Sequence, residues 1–130
     1  MTKFLHTRIR VSDLEATIRF YEQLGFLCVK RNDSPAGNKL AYLELPGNAH
    51  LLELCWSPDY ALSVPEDLMH TCIGVDDIFS FCDKLEQKEV EIWPGDWRQS
   101  FLNGGLKMAF ITDPDGYEVE ILENKSPLAG

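Results

Sequence analysis

Apolar and polar side chains alternate over residues 3–11: Thr7, Ile9 and Val11 fall on one side of an extended chain, His6, Arg8 and Arg10 on the other. Ser12 or Asp13 then offers a helix N-cap. Leu14, Ile18 and Tyr21 recur at helical spacing, with Thr17, Phe20 and Leu24 alongside, and Gly25 supplies a helix stop. A second strand is predicted over 26–31. The stretch 32–38, with Asp33, Ser34, Pro35 and Gly37, is turn-forming. Residues 39–45 and 50–55 read as a hairpin about Pro46, Gly47 and Asn48. A linker at 56–67 holds Pro58 and Pro65 and shows no period.

The pattern then starts again. His70-Thr71-Cys72-Ile73-Gly74-Val75-Asp76-Asp77-Ile78 echoes His6-Thr7-Arg8-Ile9-Arg10-Val11-Ser12-Asp13-Leu14. An amphipathic helix follows on Ile78, Phe81, Cys82 and Leu85, then an expected short strand at 89–93 and a loop at 94–103. Residues 106–112 and 117–123 make a closing hairpin about Asp113-Pro114-Asp115-Gly116, in which Pro114 presets φ and Gly116 accepts a positive φ. The chain is therefore read as one domain built by internal duplication. Module 1 spans about 4–55, the linker 56–67, module 2 about 68–123 and a fraying tail 124–130. Each module is strand, helix and three strands, an α+β arrangement of two tandem βαβββ units with mixed sheets enclosing a central site.

With 130 residues, 45% hydrophobic and 25% charged, the chain is long enough for one real core and is not disordered. A formal net charge of −9 leaves no general footprint for nucleic acid or for anionic membranes, so charged ligands must be met by local arginines. No apolar run approaches a membrane span. The four cysteines, Cys28, Cys55, Cys72 and Cys82, form no Cys-x-x-Cys pair and sit in apolar runs, which suits buried thiols in a reducing cytoplasm.

Against that background the side-chain parity carries the chemistry. The helix-covered face takes Ile9, Val11, Leu52, Leu54, Ile73, Val75, Val119 and Ile121. The other face takes His6 and Glu53 from the first module and His70 and Glu120 from the second, at equivalent positions. A lone strand histidine is ordinarily a hydrogen-bonded core or surface residue, and a lone strand glutamate is ordinarily solvated. Four such residues under one repeat predict instead a divalent metal site, with zinc, nickel, cobalt, manganese and iron all admissible and two octahedral positions left open. His50 has no mate and reads as a surface residue; Glu118, opposite Leu51 in the repeat, reads as solvated. Cys55 and Cys72 share the ligand face but are not expected to ligate.

At these residues the sequence resembles the vicinal oxygen chelate superfamily and, within it, the glyoxalase I (lactoylglutathione lyase) family of the short bacterial type. The motifs are Phe4-Leu5-His6-Thr7-Arg8-Ile9-Arg10-Val11, Leu14 with Phe20-Tyr21 and Leu24-Gly25, Leu52-Glu53-Leu54, Met69-His70-Thr71, and the run from Ala109-Phe110-Ile111 to Glu123. The Asp-Pro-Asp-Gly-Tyr turn is widespread in the superfamily; the ordered set His, Glu, His, Glu is more specific.

The resemblance implies conversion of the methylglyoxal–glutathione hemithioacetal to S-lactoylglutathione, by proton transfer through a metal-stabilised ene-diolate. It implies Ni²⁺ or Co²⁺ in preference to Zn²⁺, with Glu120 as the base and Glu53 as its symmetric partner. It also implies a homodimer, each metal held by His6 and Glu53 of one chain and His70 and Glu120 of the other; an isologous interface would equally cover the two ligand faces. Arg10 matches an arginine that contacts a glutathione carboxylate, and Ser57 stands where the family commonly has Asn. The basic loop that holds the glycine carboxylate is replaced here by Asp96-Trp97-Arg98-Gln99-Ser100, leaving Arg98 or Lys107 to substitute. The rival readings are another enzyme of the superfamily, a dioxygenase or thiol transferase with three ligands, and a non-catalytic drug- or metabolite-binding protein with Trp93, Trp97 and Phe101 lining its pocket.

Overall fold

A computed structural model describes residues 1–129. The elements are β1 (His6–Arg10), α1 (Leu14–Glu22), β2 (Leu27–Asp33), β3 (Lys39–Glu44), β4 (Leu51–Trp56), β5 (His70–Val75), α2 (Ile78–Gln87), α3 (Trp97–Leu102), β6 (Met108–Thr112) and β7 (Glu118–Glu123), with a 3₁₀ turn at Pro127–Ala129. They form an α+β protein with one four-stranded and one three-stranded mixed sheet. The chain divides into two compact units, Met1–Val64 and a second that begins at Pro65.

In the first unit the strand order is β1-β4-β3-β2. The Asp13 carboxylate caps α1 by accepting from the N–H of Ala16 (3.0 Å). Leu14, Thr17, Ile18 and Tyr21 are the buried stripe of this helix, which packs on β2, β3 and β4. Beneath it Ala41 lies opposite Leu54 and Leu43 opposite Leu52, all four buried together with Ile9. Each large aliphatic side chain removed from water here contributes roughly 1.5–3 kcal/mol. Alternation then turns Tyr42 and its register partner Glu53 to the opposite face.

The second unit repeats the design with strand order β5-β7-β6. Asp77 caps α2 through the N–H of Ser80 (3.1 Å), and Ile78, Cys82 and Leu85 form its buried stripe. Glu123 also accepts from the N–H of Ile78 (3.1 Å), tying the end of β7 to the start of α2. Ala109 opposite Ile121 and Ile111 opposite Val119 make the core under this helix.

Three expectations are corrected. The strand at 89–93 shrinks to a single bridge, Trp93 to Phe110. Trp93 donates its N–H to the Phe110 carbonyl (2.9 Å) and accepts from the Phe110 N–H (2.8 Å), and its indole stacks on the Phe110 ring at 4.5 Å. Pro94 has no N–H to continue a ladder. The loop at 94–103 contains α3, because Trp97 and Phe101 fall one helical turn apart and pack with Phe79 at 5.2–5.6 Å. Asn124, the first residue of the tail where fraying was expected, is tied down: it donates its N–H to the Val75 carbonyl (2.8 Å) and its side-chain amide to Asp76 (2.9 Å). Gly130 lies outside the described residues.

The closing hairpin depends on the buried Asp113 carboxylate. One of its oxygens accepts from the N–H groups of Asp115 (3.0 Å), Gly116 (3.1 Å) and Tyr117 (2.9 Å), and Gly116 takes φ +104°. Replacing Asp113 by Ala takes this acceptor from the N–H groups of Asp115 and Tyr117, while Gly116 keeps the Asp113 carbonyl (3.1 Å), so urea unfolding of Asp113→Ala is expected to show a loss of about 2 kcal/mol or more; a loss under about 0.5 kcal/mol would remove the turn from the fold's supports.

Candidate metal centre

β1 pairs in parallel with β4, and β5 in parallel with β7. A parallel neighbour carries its side chains in phase, so a histidine at the start of the first strand meets a glutamate slightly further along the last. In the first unit His6 Nε2 stands 3.5 Å from Glu53 Oε2. In the second, His70 Nε2 stands 3.2 Å from Glu120 Oε1. Each imidazole meets an aromatic ring edge-on, His6 against Tyr42 (5.8 Å) and His70 against Phe110 (6.0 Å). Two donors about 2.1 Å from one ion, at right-angled to tetrahedral spacing, lie about 3.0–3.4 Å apart. Both His–Glu pairs have the donor chemistry and nearly the spacing that a shared divalent ion requires.

The two pairs are not electrically alike. Glu53 is almost fully buried at 1% exposure. Burial alone would raise its pKa, but the Tyr42 hydroxyl and the Arg8 guanidinium, both hydrogen-bonded to it, outweigh that and hold it below the ordinary carboxylate range. Arg8 Nε donates to Glu53 Oε1, from the strand position directly opposite. In the second unit Cys72 stands opposite Glu120 across the β5–β7 pair, and Phe110 opposite it across the β6–β7 pair. Neither offers the charge or the hydroxyl donor that Glu53 receives.

Sequence reasoning missed further acidic neighbours of His70. Asp67, His70 and Glu118 form, among the described residues, a group whose ligand atoms lie within 4.8 Å of one another. Glu118 reads as solvated and Asp67 as linker from the sequence; the β5–β7 register sets Glu118 directly opposite His70. Cys72 is exposed and Cys28 partly so, while Cys55 and Cys82 are buried as expected. His50 is exposed, its Nδ1 meeting the Phe4 carbonyl (3.1 Å) and its Nε2 the Thr7 hydroxyl (2.9 Å).

Beyond His6 on the same strand, Arg10 lines an open cleft of about 310 Å³ with Asn38, Ser57, Asp59 and Tyr60. Its guanidinium donates to Ser57 Oγ (2.6 Å) and stacks over the Tyr60 ring (4.3 Å), and Ser57 donates to Asn38 Oδ1 (2.6 Å). The other two expected substrate contacts are engaged elsewhere. Arg98 bridges Asp83 and Glu86 of α2, and Lys107 pairs with Glu123 (3.3 Å), which lies on the helix-covered face of β7. Trp97 is buried at 2% exposure, so it serves as core rather than as pocket lining.

The sequence pattern of the Glyoxalase/Bleomycin resistance protein/Dioxygenase superfamily matches residues 3–121, and the chain belongs to that superfamily. It is 34% identical to a probable lactoylglutathione lyase of Synechocystis sp., over 94% of this chain and 95% of that one. It is 30% identical to the lactoylglutathione lyase of Haemophilus influenzae, over 98% and 97%. Its fold superposes on the trypanothione-dependent glyoxalase I of Leishmania major with a TM-score of 0.79 at 32% identity, covering 96% of this chain and 88% of that one.

Partial burial and the neighbouring Glu120 carboxylate push the Cys72 thiol up to about 11. Alkylation of Cys72, followed by peptide mass spectrometry across pH, should therefore titrate well above the ordinary thiol value of about 8.5. Glu120→Gln should lower that midpoint. A wild-type midpoint near 8.5 would show that Glu120 does not act on Cys72.

Proposed function

We propose that the protein is a metal-dependent glyoxalase I-type lyase, converting the hemithioacetal of methylglyoxal and a thiol into the S-lactoyl thioester. The observation that carries this reading is the duplicated His–Glu pair, one in each unit, at 3.5 and 3.2 Å. Relatives named lactoylglutathione lyase, matched over nearly their full length, support the same reaction. His6 and Glu53 of one chain, with His70 and Glu120 of a second copy, would hold the ion in a homodimer. Ni²⁺ or Co²⁺ is favoured over Zn²⁺ by the resemblance of the short chain to the bacterial group.

A divalent ion held there would supply Lewis acidity that offsets the charge developing as the proton leaves. The rest falls to the chain. Glu120 accepts the proton from the thiol-bearing carbon and returns it to the adjacent carbon, a net isomerisation with no redox change. The asymmetry between the carboxylates supports this choice: Glu53 is held by the Arg8 guanidinium and the Tyr42 hydroxyl, whereas Glu120 has Cys72 in the place of Arg8 and Phe110 in the place of Tyr42. Arg10, held by Ser57 and flanked by Tyr60, would take a carboxylate of the thiol in its cleft. Arg98 and Lys107, the cations expected to meet the glycine-end carboxylate of glutathione, are already ion-paired. The thiol is therefore the least constrained part of the substrate; the Leishmania relative, which depends on trypanothione, shows that this fold serves other thiols.

The test is to strip the protein with chelator, restore Ni²⁺, Co²⁺ or Zn²⁺ singly, and follow thioester formation from methylglyoxal with glutathione and with trypanothione. Activity should return with at least one metal. Glu120→Gln should lose about 10²–10⁴-fold in kcat, whereas Glu118→Gln should stay within about tenfold of wild type. Metal binding without turnover on either thiol would sink the lyase reading, and a larger loss in Glu118→Gln than in Glu120→Gln would move the centre to Asp67, His70 and Glu118.

A further inference from the structure

We propose that Arg8 is a built-in counter-ion that competes with the divalent cation for Glu53, so that filling this half of the centre requires the guanidinium to release the carboxylate. The inference rests on the metal reading above and concerns residues of the first unit only.

Three observations carry it. The Glu53 side chain is 2% exposed, and a charged carboxylate so placed needs a positive partner. Arg8 is that partner: it stands opposite Glu53 in the parallel register, and its Nε donates directly to Oε1. The remaining oxygen, Oε2, faces His6 Nε2, so the expected metal donors and the guanidinium converge on one carboxylate. The Arg8 side chain, in contrast, is 42% exposed and has room to move away.

A guanidinium and a divalent ion at the same carboxylate repel one another, and the oxygen that accepts the Arg8 N–H is less available as a ligand. The second unit serves as an internal comparison. The repeat sets Cys72 where the first unit has Arg8, and a thiol beside Glu120 imposes no such competition. The two halves of the proposed centre therefore differ by one full positive charge. Removing Arg8 should raise metal affinity while leaving the metal-free protein with a buried carboxylate short of its counter-ion.

Calorimetric titration of metal-free protein with Ni²⁺ and Zn²⁺ tests this, using wild type, Arg8→Met and Arg8→Lys. Met keeps an unbranched stem and removes the charge; Lys keeps the charge but not the Nε contact. Arg8→Met is expected to bind metal roughly tenfold tighter or better, with Arg8→Lys in between. The melting temperature of metal-free Arg8→Met should fall below wild type, and the rise produced by metal should be larger. Equal or weaker metal affinity in Arg8→Met would overturn the proposal while leaving the metal reading intact; weaker binding would mean that Arg8 positions Glu53 as a ligand. Absence of metal binding in all three proteins would overturn both. Should Arg8→Met fail to fold, the comparison of Arg8→Lys with wild type decides: several-fold tighter binding supports the competition, and identical binding ends it.

Discussion

The parallel pairing of first and last strand within each unit is the constraint on which the rest depends. It forces β1 to run beside β4 and β5 beside β7 in phase, so that what one strand turns away from its helix its neighbour also turns away. Once α1 and α2 have taken the aliphatic face, His and Glu are left together on the other. A one-residue slip would carry Glu53 and Glu120 into the core and Leu54 and Ile121 out of it. The burial of those aliphatic residues, at 0% exposure each, is what prevents the slip. Core packing and the pairing of His with Glu are thus enforced by the same register.

The two units thus carry His–Glu pairs of nearly one geometry and different surroundings. The spacing of His to Glu is nearly preserved, as is the aromatic edge against each imidazole. What surrounds the carboxylate is not. Arg8 and Tyr42 give Glu53 a charge partner and a hydroxyl donor, while Cys72 and Phe110 give Glu120 neither. A buried carboxylate with both kinds of partner is held in place by them.

Much of this was legible in the chain because it follows from short periods. Alternation along β1 and β5 identified His6 and His70, and the repeated Leu-Glu-Leu and Val-Glu-Ile runs identified Glu53 and Glu120. Arg10 and Ser57 were also legible, and the structure brings them within a hydrogen bond of each other. Asn38, which joins them, was not, since it sits in a turn whose return path no period describes. The short helix α3 was hidden for a related reason: six residues after Pro94 and Gly95 give one helical turn of signal, and only the burial of Trp97 against Phe79 and Phe101 stabilises it.

By itself the sequence determined the duplicated strand–helix–strand plan, the face on which each His and Glu lies, and the acidic character that leaves charged ligands to a few arginines. These are consequences of side-chain alternation and helical spacing, which are local. Tertiary structure decided which charges are already satisfied. It committed Arg98 to Asp83 and Glu86, Lys107 to Glu123 and Arg8 to Glu53, and it drew Asp67 and Glu118 toward His70. Those outcomes rest on register and on loop paths that join distant positions, and a long flexible side chain has no preferred partner until the backbone has set one within reach.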